Sequence, residues 1–336
     1  MLKKSYISGI GHYVPDHVVT NNDLAARMET NDEWITERTG IKERRHVVPG
    51  SDDATSTMGT KAARIAIERA GLTPDDIDFI VFATLSPDYY FPGPGVQVQE
   101  QLGLKREIGA LDIRNQCSGF VYGLSVADQF IKTGMYKHVL VIGSELHSGG
   151  LDMTTRGRNV SVIFGDGAGA VVLSVSDDDS GILSTHLHSE GRHAKELSLL
   201  APSTRDWIPN IIKRNDPEEI DYYPYMNGNF VFKHAVVRFA EVIQEALKTN
   251  GLTPSEIDLL IPHQANLRIS QFIQQQMGLA PEKVYNNIMR YGNTTAASIP
   301  IALSEAWSEG KIKKGDLVLF AAFGSGFTWA SAIMRW

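Results

Sequence analysis

"GLTPDDIDFIV" at residues 71–81 returns as "GLTPSEIDLLI" at residues 251–261. Six of the first eight positions are identical, and the last three stay apolar. In both copies a helical pattern ends at the glycine, the proline prevents its continuation, and an apolar strand follows. A second echo comes in the same order: "FGDGAGAVVL" from Phe164 and "FGSGFTWASAIM" from Phe323. Helix–turn–strand units share a general look, but two echoes in one order point to duplication. Two similar α/β halves are expected, 1–178 and 179–336.

The surrounding pattern agrees. "ATSTMGTKAARIAIERAG" (54–71) has helical spacing, and "IDFIVFATLS" (77–86) has the apolar run of a buried strand. "HVLVIGSE" (138–145) and "GAGAVVLSV" (167–175) are further strands rich in β-branched residues, and "SDDDSG" (176–181) is a turn. Alternating strands and helices imply an α/β protein with largely parallel pairing. The nearly uncharged "LVLFAAFGSGFTWASAIM" (317–334) is interrupted by "GSG", which fits two buried strands joined by a glycine turn better than a membrane helix.

With 336 residues, 43% hydrophobic and 21% charged, the chain has the composition of an ordinary globular protein. Its formal net charge of −7 argues against general nucleic-acid binding. The single cysteine excludes an intrachain disulfide and a cysteine-rich zinc site, and fits a reducing, cytoplasmic setting. "MLKKSYISGIGHYVP" has no apolar core after its lysines, so no signal peptide is expected. "HLHSEGRH" (186–193) carries three histidines but lacks a carboxylate at a persuasive metal-ligand spacing, and is expected to be a solvated loop.

Three polar residues stand in apolar settings. Cys117, in "LDIRNQCSGFVYG" (111–123), falls where a strand hands over to a helix whose Phe120, Leu124, Ala127 and Ile131 share a face. Free N–H groups and the positive helix end favour a thiolate there, and Gly119 permits close approach. A buried structural cysteine fits that position equally well. His263, in "LLIPHQANLRIS", lies just beyond an apolar strand, where α/β proteins place chemistry, or is a core histidine bonded to backbone. Asn293, in "RYGNTTAASIPIAL", is a turn asparagine or a second donor. Together, Cys, His and Asn suggest nucleophilic acyl chemistry with two nitrogen donors for an anionic oxygen. A papain-like hydrolase shares this chain order, but its cysteine context and disulfides are missing.

The chain resembles the β-ketoacyl-acyl-carrier-protein synthase III family almost end to end. The likeness rests on "NDEWITERTGIKERR", the cysteine turn, "IFGDGAGAVVL", "MNGNFVFKHAV", "PHQANLRI", "YGNTTAASIP" and "FGSGFTWASA". The resemblance implies a thiolase fold: two duplicated α/β halves in a layered αβαβα core. It implies that Cys117 takes the acyl group of acyl-coenzyme A, and that malonyl-acyl-carrier protein then loses carbon dioxide. His263 and Asn293 would donate to the enolate oxygen. The N–H groups of Cys117 and Ser325 would form the oxyanion hole, and Phe323 would crowd the malonyl carboxylate. Trp34 and Arg38 would hold the adenine end of coenzyme A, Arg158 (or Arg156) its phosphate, and Asn229 and Asn266 its pantetheine. Arg268 would dock the acidic carrier protein. Phe91 would reach the primer pocket across a homodimer interface, and its bulk favours a short primer. The coenzyme A thioesters are substrates, and neither a cofactor nor a metal is implied.

The chain departs from the family in three places. The segment "TTRGRN" offers both Arg156 and Arg158 where the family commonly has one phosphate-contacting arginine. The turn that often has three glycines is Gly324-Ser325-Gly326, which a serine tolerates only with permitted φ/ψ. The setting "PDYYFPGPG" around Phe91 leaves a longer primer open. A degradative thiolase would need a second cysteine. A related condensing enzyme or acyltransferase of the same fold, acting on medium-chain or specialised acyl-coenzyme A, would keep Cys117 and His263. A non-catalytic partner subunit of a synthase complex would normally have lost the nucleophile.

Overall fold

The computed structural model describes residues 3–203 and 222–336, and its two main sheets follow one plan. The first has the spatial order Lys4–Tyr13, Gly167–Ser176, His138–Glu145, Phe79–Ala83, Gly109–Ile113. Its first two junctions are antiparallel and its last two parallel. The second has the order Gly181–Ser189, Thr328–Arg335, Leu317–Gly324, Leu259–Pro262, joined antiparallel, antiparallel and parallel. A parallel bridge from Leu260 to Val284 stands where the first sheet has its fifth strand.

The repeated sequence stretch occupies the same place in both plans. Gly71 and Gly251 take left-handed conformations, with φ of +69° and +64°. Thr73 then gives its N–H and O–H to Asp76, and Thr253 gives both to Glu256. Each pair caps a short 3-10 turn, Pro74–Asp76 or Pro254–Glu256, just ahead of a central strand.

Helices arrange themselves around the sheets in layers. Thr55–Arg69 and Pro94–Leu102 cover the outer face of the first sheet, and Gly228–Thr249 and Leu267–Met277 that of the second. Gly119–Lys132 and Ser298–Ser308 lie between the sheets. Side chains alternate between cores as strand geometry requires. Val139 and Val141 join the central core with Phe120, Leu124, Ala127 and Ile131, whereas Leu140 and Ile142 join the outer core. In the second sheet Val318, Phe320 and Ala322 face the centre, and Leu319, Ala321 and Phe323 face outward. Stretch 317–334 is the antiparallel strand pair expected of it, and no helix among the described residues is long and apolar enough to cross a membrane.

Two expectations fail. Pairing is not largely parallel: four of the seven junctions in the two main sheets are antiparallel, and the tight turn between Leu317–Gly324 and Thr328–Arg335, for one, returns the chain directly and forces that arrangement. Residues 186–193 are not a solvated loop. His186 and His188 lie on Gly181–Ser189, and both bond Glu245, at 3.3 and 2.6 Å. His193 packs its ring against Phe230 and Phe327. Alternating histidines in a strand share one face, and their carboxylate partner comes from a distant helix, so local composition misled.

Candidate active site

Strand Gly109–Ile113 delivers the chain to a 3-10 turn, Gln116–Ser118, which runs directly into helix Gly119–Lys132. Gln116 enters that turn with φ of +45°, an unusual conformation for a non-glycine residue. The turn presents Cys117 with only 7% of its surface exposed. Gly324 lies against it: a Cβ there would sit 2.5 Å from the Cys117 Cβ and 2.8 Å from Sγ. Any side chain at residue 324 would therefore displace the sulfur. Ser118 Oγ meets Thr328 Oγ1 at 2.8 Å and ties the cysteine turn to the strand beyond the glycine turn.

The backbone N–H groups of Cys117 and Ser325 lie near the sulfur and favour its charged form. Ser325 itself avoids the left-handed region, and Gly326 takes the φ of +133° that the turn needs, so the serine is compatible with this geometry. Its hydroxyl donates to the Leu197 carbonyl at 2.5 Å.

Charge at the sulfur differs from the expectation drawn from its helix end. Burial, reinforced by the nearby Glu145 carboxyl, pushes the Cys117 thiol up to about 12, and the two N–H groups only partly oppose this. Cys117 therefore rests as a thiol in the closed site. Glu145 is fully buried and accepts bonds from Thr84 Oγ1, Leu85 N and Ser86 Oγ. Burial raises it to about 7 against those bonds.

His263 follows strand Leu259–Pro262 and gives its backbone N–H to the Ala321 carbonyl of the neighbouring strand at 2.8 Å. Its Nδ1 lies 2.6 Å from Ser298 Oγ, and its buried Nε2 has no partner among the described residues. Burial pushes the imidazole down to about 3, so it is neutral at ordinary pH. Asn293 is fixed by the first half: its N–H donates to the Ile163 carbonyl at 2.9 Å, and its carbonyl accepts from Gly165 N at 3.1 Å. Thr295 N–H donates to Asn293 Oδ1 at 2.8 Å, which leaves the amide nitrogen as the free end.

Cys117, His263, Asn293 and Phe323 line one cavity of about 520 Å³. Trp34, Arg38, Asn229, Asn266 and Arg268 line it as well. Arg38 lies over the Trp34 ring at 4.5 Å and Arg158 at 5.3 Å. Arg156 instead pairs with Asp152 at 2.6 Å. Asn266 caps helix Leu267–Met277 and donates to the Arg38 carbonyl at 2.9 Å, so it joins two walls of the mouth. Phe91 is 82% exposed and lines no part of the cavity in the single chain. Among the described residues no group of three or more His, Cys, Asp or Glu is arranged to hold a metal.

Sequence reasoning missed Glu145, Thr295 and Ser298. The hydroxyls of the last two sit in "TTAAS", where a run of small residues reads as close packing.

The arrangement can form a covalent acyl adduct and, separately, stabilise an anionic oxygen with two neutral donors. Comparison with known proteins points the same way. The sequence matches the family model "3-Oxoacyl-[acyl-carrier-protein (ACP)] synthase III" over residues 111–191, and that family's C-terminal model over 247–336. It is 46% identical to the beta-ketoacyl-[acyl-carrier-protein] synthase III of Granulibacter bethesdensis, over 99% of this chain and 100% of the relative. The corresponding Rhodospirillum centenum protein is also 46% identical, over 99% of each. The crystal structure of 3-oxoacyl-[acyl-carrier-protein] synthase III from Aquifex aeolicus superposes with a TM-score of 0.90 at 44% identity, covering 99% of this chain and 100% of that one.

Proposed function

The chain belongs to the 3-oxoacyl-[acyl-carrier-protein] synthase III family, and from that premise we propose how its residues divide the work. It is a condensing acyltransferase of fatty-acid biosynthesis with the thiolase fold. It joins an acyl-coenzyme A primer to malonyl-acyl-carrier protein, giving β-ketoacyl-carrier protein, carbon dioxide and coenzyme A.

In the proposed route Cys117 Sγ attacks the primer thioester, coenzyme A leaves as the thiol, and the acyl group remains on sulfur. Burial holds Cys117 as the thiol, so its proton ends on the departing coenzyme A sulfur as the new thioester forms. Malonyl-carrier protein then loses carbon dioxide. His263 Nε2–H and the Asn293 amide donate to the enolate oxygen as its charge develops, where donors act most. A neutral imidazole suits this role, because it donates without becoming an acid. The enolate carbon attacks the acyl-Cys117 carbonyl, whose oxyanion accepts from the N–H groups of Cys117 and Ser325, and the sulfur leaves as thiolate and takes up a proton from water to restore the thiol. Phe323 crowds the carboxylate that is lost.

The supports for substrate binding are the stacked Arg38–Trp34–Arg158 cluster at the mouth and the basic Arg268 beside it. Arg158 is assigned the coenzyme A phosphate, since Arg156 is engaged by Asp152. Asn229 and Asn266 are assigned to the pantetheine arm. The protein is proposed to be cytoplasmic and homodimeric, with exposed Tyr89, Tyr90 and Phe91 at the subunit contact and Phe91 entering the partner's primer pocket. Halves 1–178 and 179–336 are proposed to descend from one duplicated unit, for which the matching strand order is the support.

One observation carries the mechanism: Cys117, His263 and Asn293 line one cavity, with the N–H groups of Cys117 and Ser325 near the sulfur. His263→Ala and Asn293→Ala should each slow release of labelled carbon dioxide from malonyl-carrier protein by about a hundredfold or more. Both should still acylate Cys117. Equal loss of both half-reactions would contradict the division of roles.

A further inference from the structure

The role given to His263 requires a proton on Nε2, and an imidazole can carry its proton on either nitrogen. We propose that Ser298 is a positioning residue that fixes this tautomer, donating its hydroxyl hydrogen to His263 Nδ1. The proposal rests on the reading of His263 as a donor to the enolate.

Hydrogen accounting supports it. Ser298 is the first residue of helix Ser298–Ser308, is 2% exposed, and holds its Oγ 2.6 Å from Nδ1. The same oxygen accepts from Gln264 N at 3.4 Å. If Nδ1 carried the proton, it would donate to Oγ, and the hydroxyl hydrogen would have no acceptor among the described residues. Leaving a buried donor unmatched is costly. If Ser298 donates, every hydrogen at Nδ1 and Oγ is placed; an unmatched Ser298 hydroxyl would lie off the cavity wall, whereas the donor left open here is Nε2–H, which the enolate oxygen takes up in the proposed reaction. Among the described residues that nitrogen is the buried ring atom without a partner, in a residue that lines the cavity.

The backbone at His263 depends little on Ser298, whose main-chain contact there is the long one from Gln264 N at 3.4 Å. It is held by the bond to Ala321, and Gln264 Nε2 bonds the Pro262 carbonyl at 2.7 Å. Removing the hydroxyl therefore releases the proton between the two nitrogens while the main chain stays in place. Ser298→Ala is expected to lower kcat for decarboxylation by about tenfold or more. The KM for malonyl-carrier protein and the acylation of Cys117 should change by no more than about twofold, within the scatter of context effects. Ser298→Thr keeps a hydroxyl and should recover most of the rate.

A two-bond ¹H–¹⁵N correlation spectrum of the full-length protein, labelled with ¹⁵N-histidine, reads the tautomer directly. The His263 signal is assigned by its disappearance in His263→Asn. The expected result at neutral pH is the Nε2–H pattern in the native protein and a mixed or Nδ1–H pattern in Ser298→Ala. An Nδ1–H pattern in the native protein, or an unchanged pattern in Ser298→Ala, overturns the assignment. The spectrum is independent of turnover. If it is as expected but His263→Ala decarboxylates normally, the donor role of His263 fails while Ser298 remains the residue that sets the tautomer.

Discussion

Two 3-10 turns, Gln116–Ser118 and Thr295–Ala297, meet at the centre of the molecule and open the two central helices. Both begin with a non-glycine residue at positive φ, +45° for Gln116 and +49° for Thr295. The first places Cys117 on the cavity. The second has Ala296 at the matching position, 1% exposed and off the cavity wall. Its carbonyl packs so close to Gly143 that a Cβ there would sit 2.4 Å away. The same backbone shape thus does two jobs. In the first it presents Cys117, the proposed nucleophile. In the second it orients Asn293 through Thr295 N–H and leads into Ser298 beside His263.

If this division holds, the two turns are not interchangeable. Cys117→Ala should lower condensation at least about a thousandfold, since a covalent step cannot be made without the nucleophile. Adding Ala296→Cys to that variant should restore nothing, as read in a coupled assay of coenzyme A release. Recovery of turnover would mean that the turns are equivalent.

A smaller effect is expected at the contact that shapes the first turn. Gly324→Ala should slow acylation by about a hundredfold, because the new methyl must displace either the sulfur or the donor at Ser325. Normal acylation kinetics in a folded Gly324→Ala protein would contradict the tight packing at Sγ.

The smallest effect is on stability against pH, and it separates the halves by sign. His263 titrates near 3 folded against 6.5 as its ordinary value, so its contribution is lost as pH falls from 6.5. Glu145 titrates near 7 folded against 4.5, so its contribution is present at acid pH and is lost as pH rises from 4.5 through 7. Glu145→Gln removes the opposing contribution. Its stability should fall on acidification from pH 7 to 4.5 more steeply than that of the native protein, by up to about 1.4 kcal/mol per pH unit. Urea unfolding at several pH values checks this, and parallel curves would contradict it.

These contrasts explain what could be read from the sequence. The repeat at 71–81 and 251–261 was legible because glycine, proline and a capping Asp or Glu act locally. Cys117, His263 and Asn293 were legible as polar residues out of place among apolar runs. Glu145 was not, because its partners Thr84, Leu85 and Ser86 come from another strand end. Ser298 was not, because nothing in "TTAAS" reveals that one hydroxyl reaches a histidine from a different strand. The thiol character of Cys117 was missed for a related reason. A helix end is visible in sequence, but the burial and the Glu145 charge that outweigh it exist only in the fold, where Gly324 packs against the sulfur.

The central claim, that the first turn carries the acyl group and the second does not, is tested most directly by mass spectrometry after incubation with acyl-coenzyme A. The account predicts one acyl adduct, on the peptide containing Cys117, in the native protein and in His263→Ala, and none in Cys117→Ala. An adduct that persists in Cys117→Ala, or none in the native protein, would contradict it.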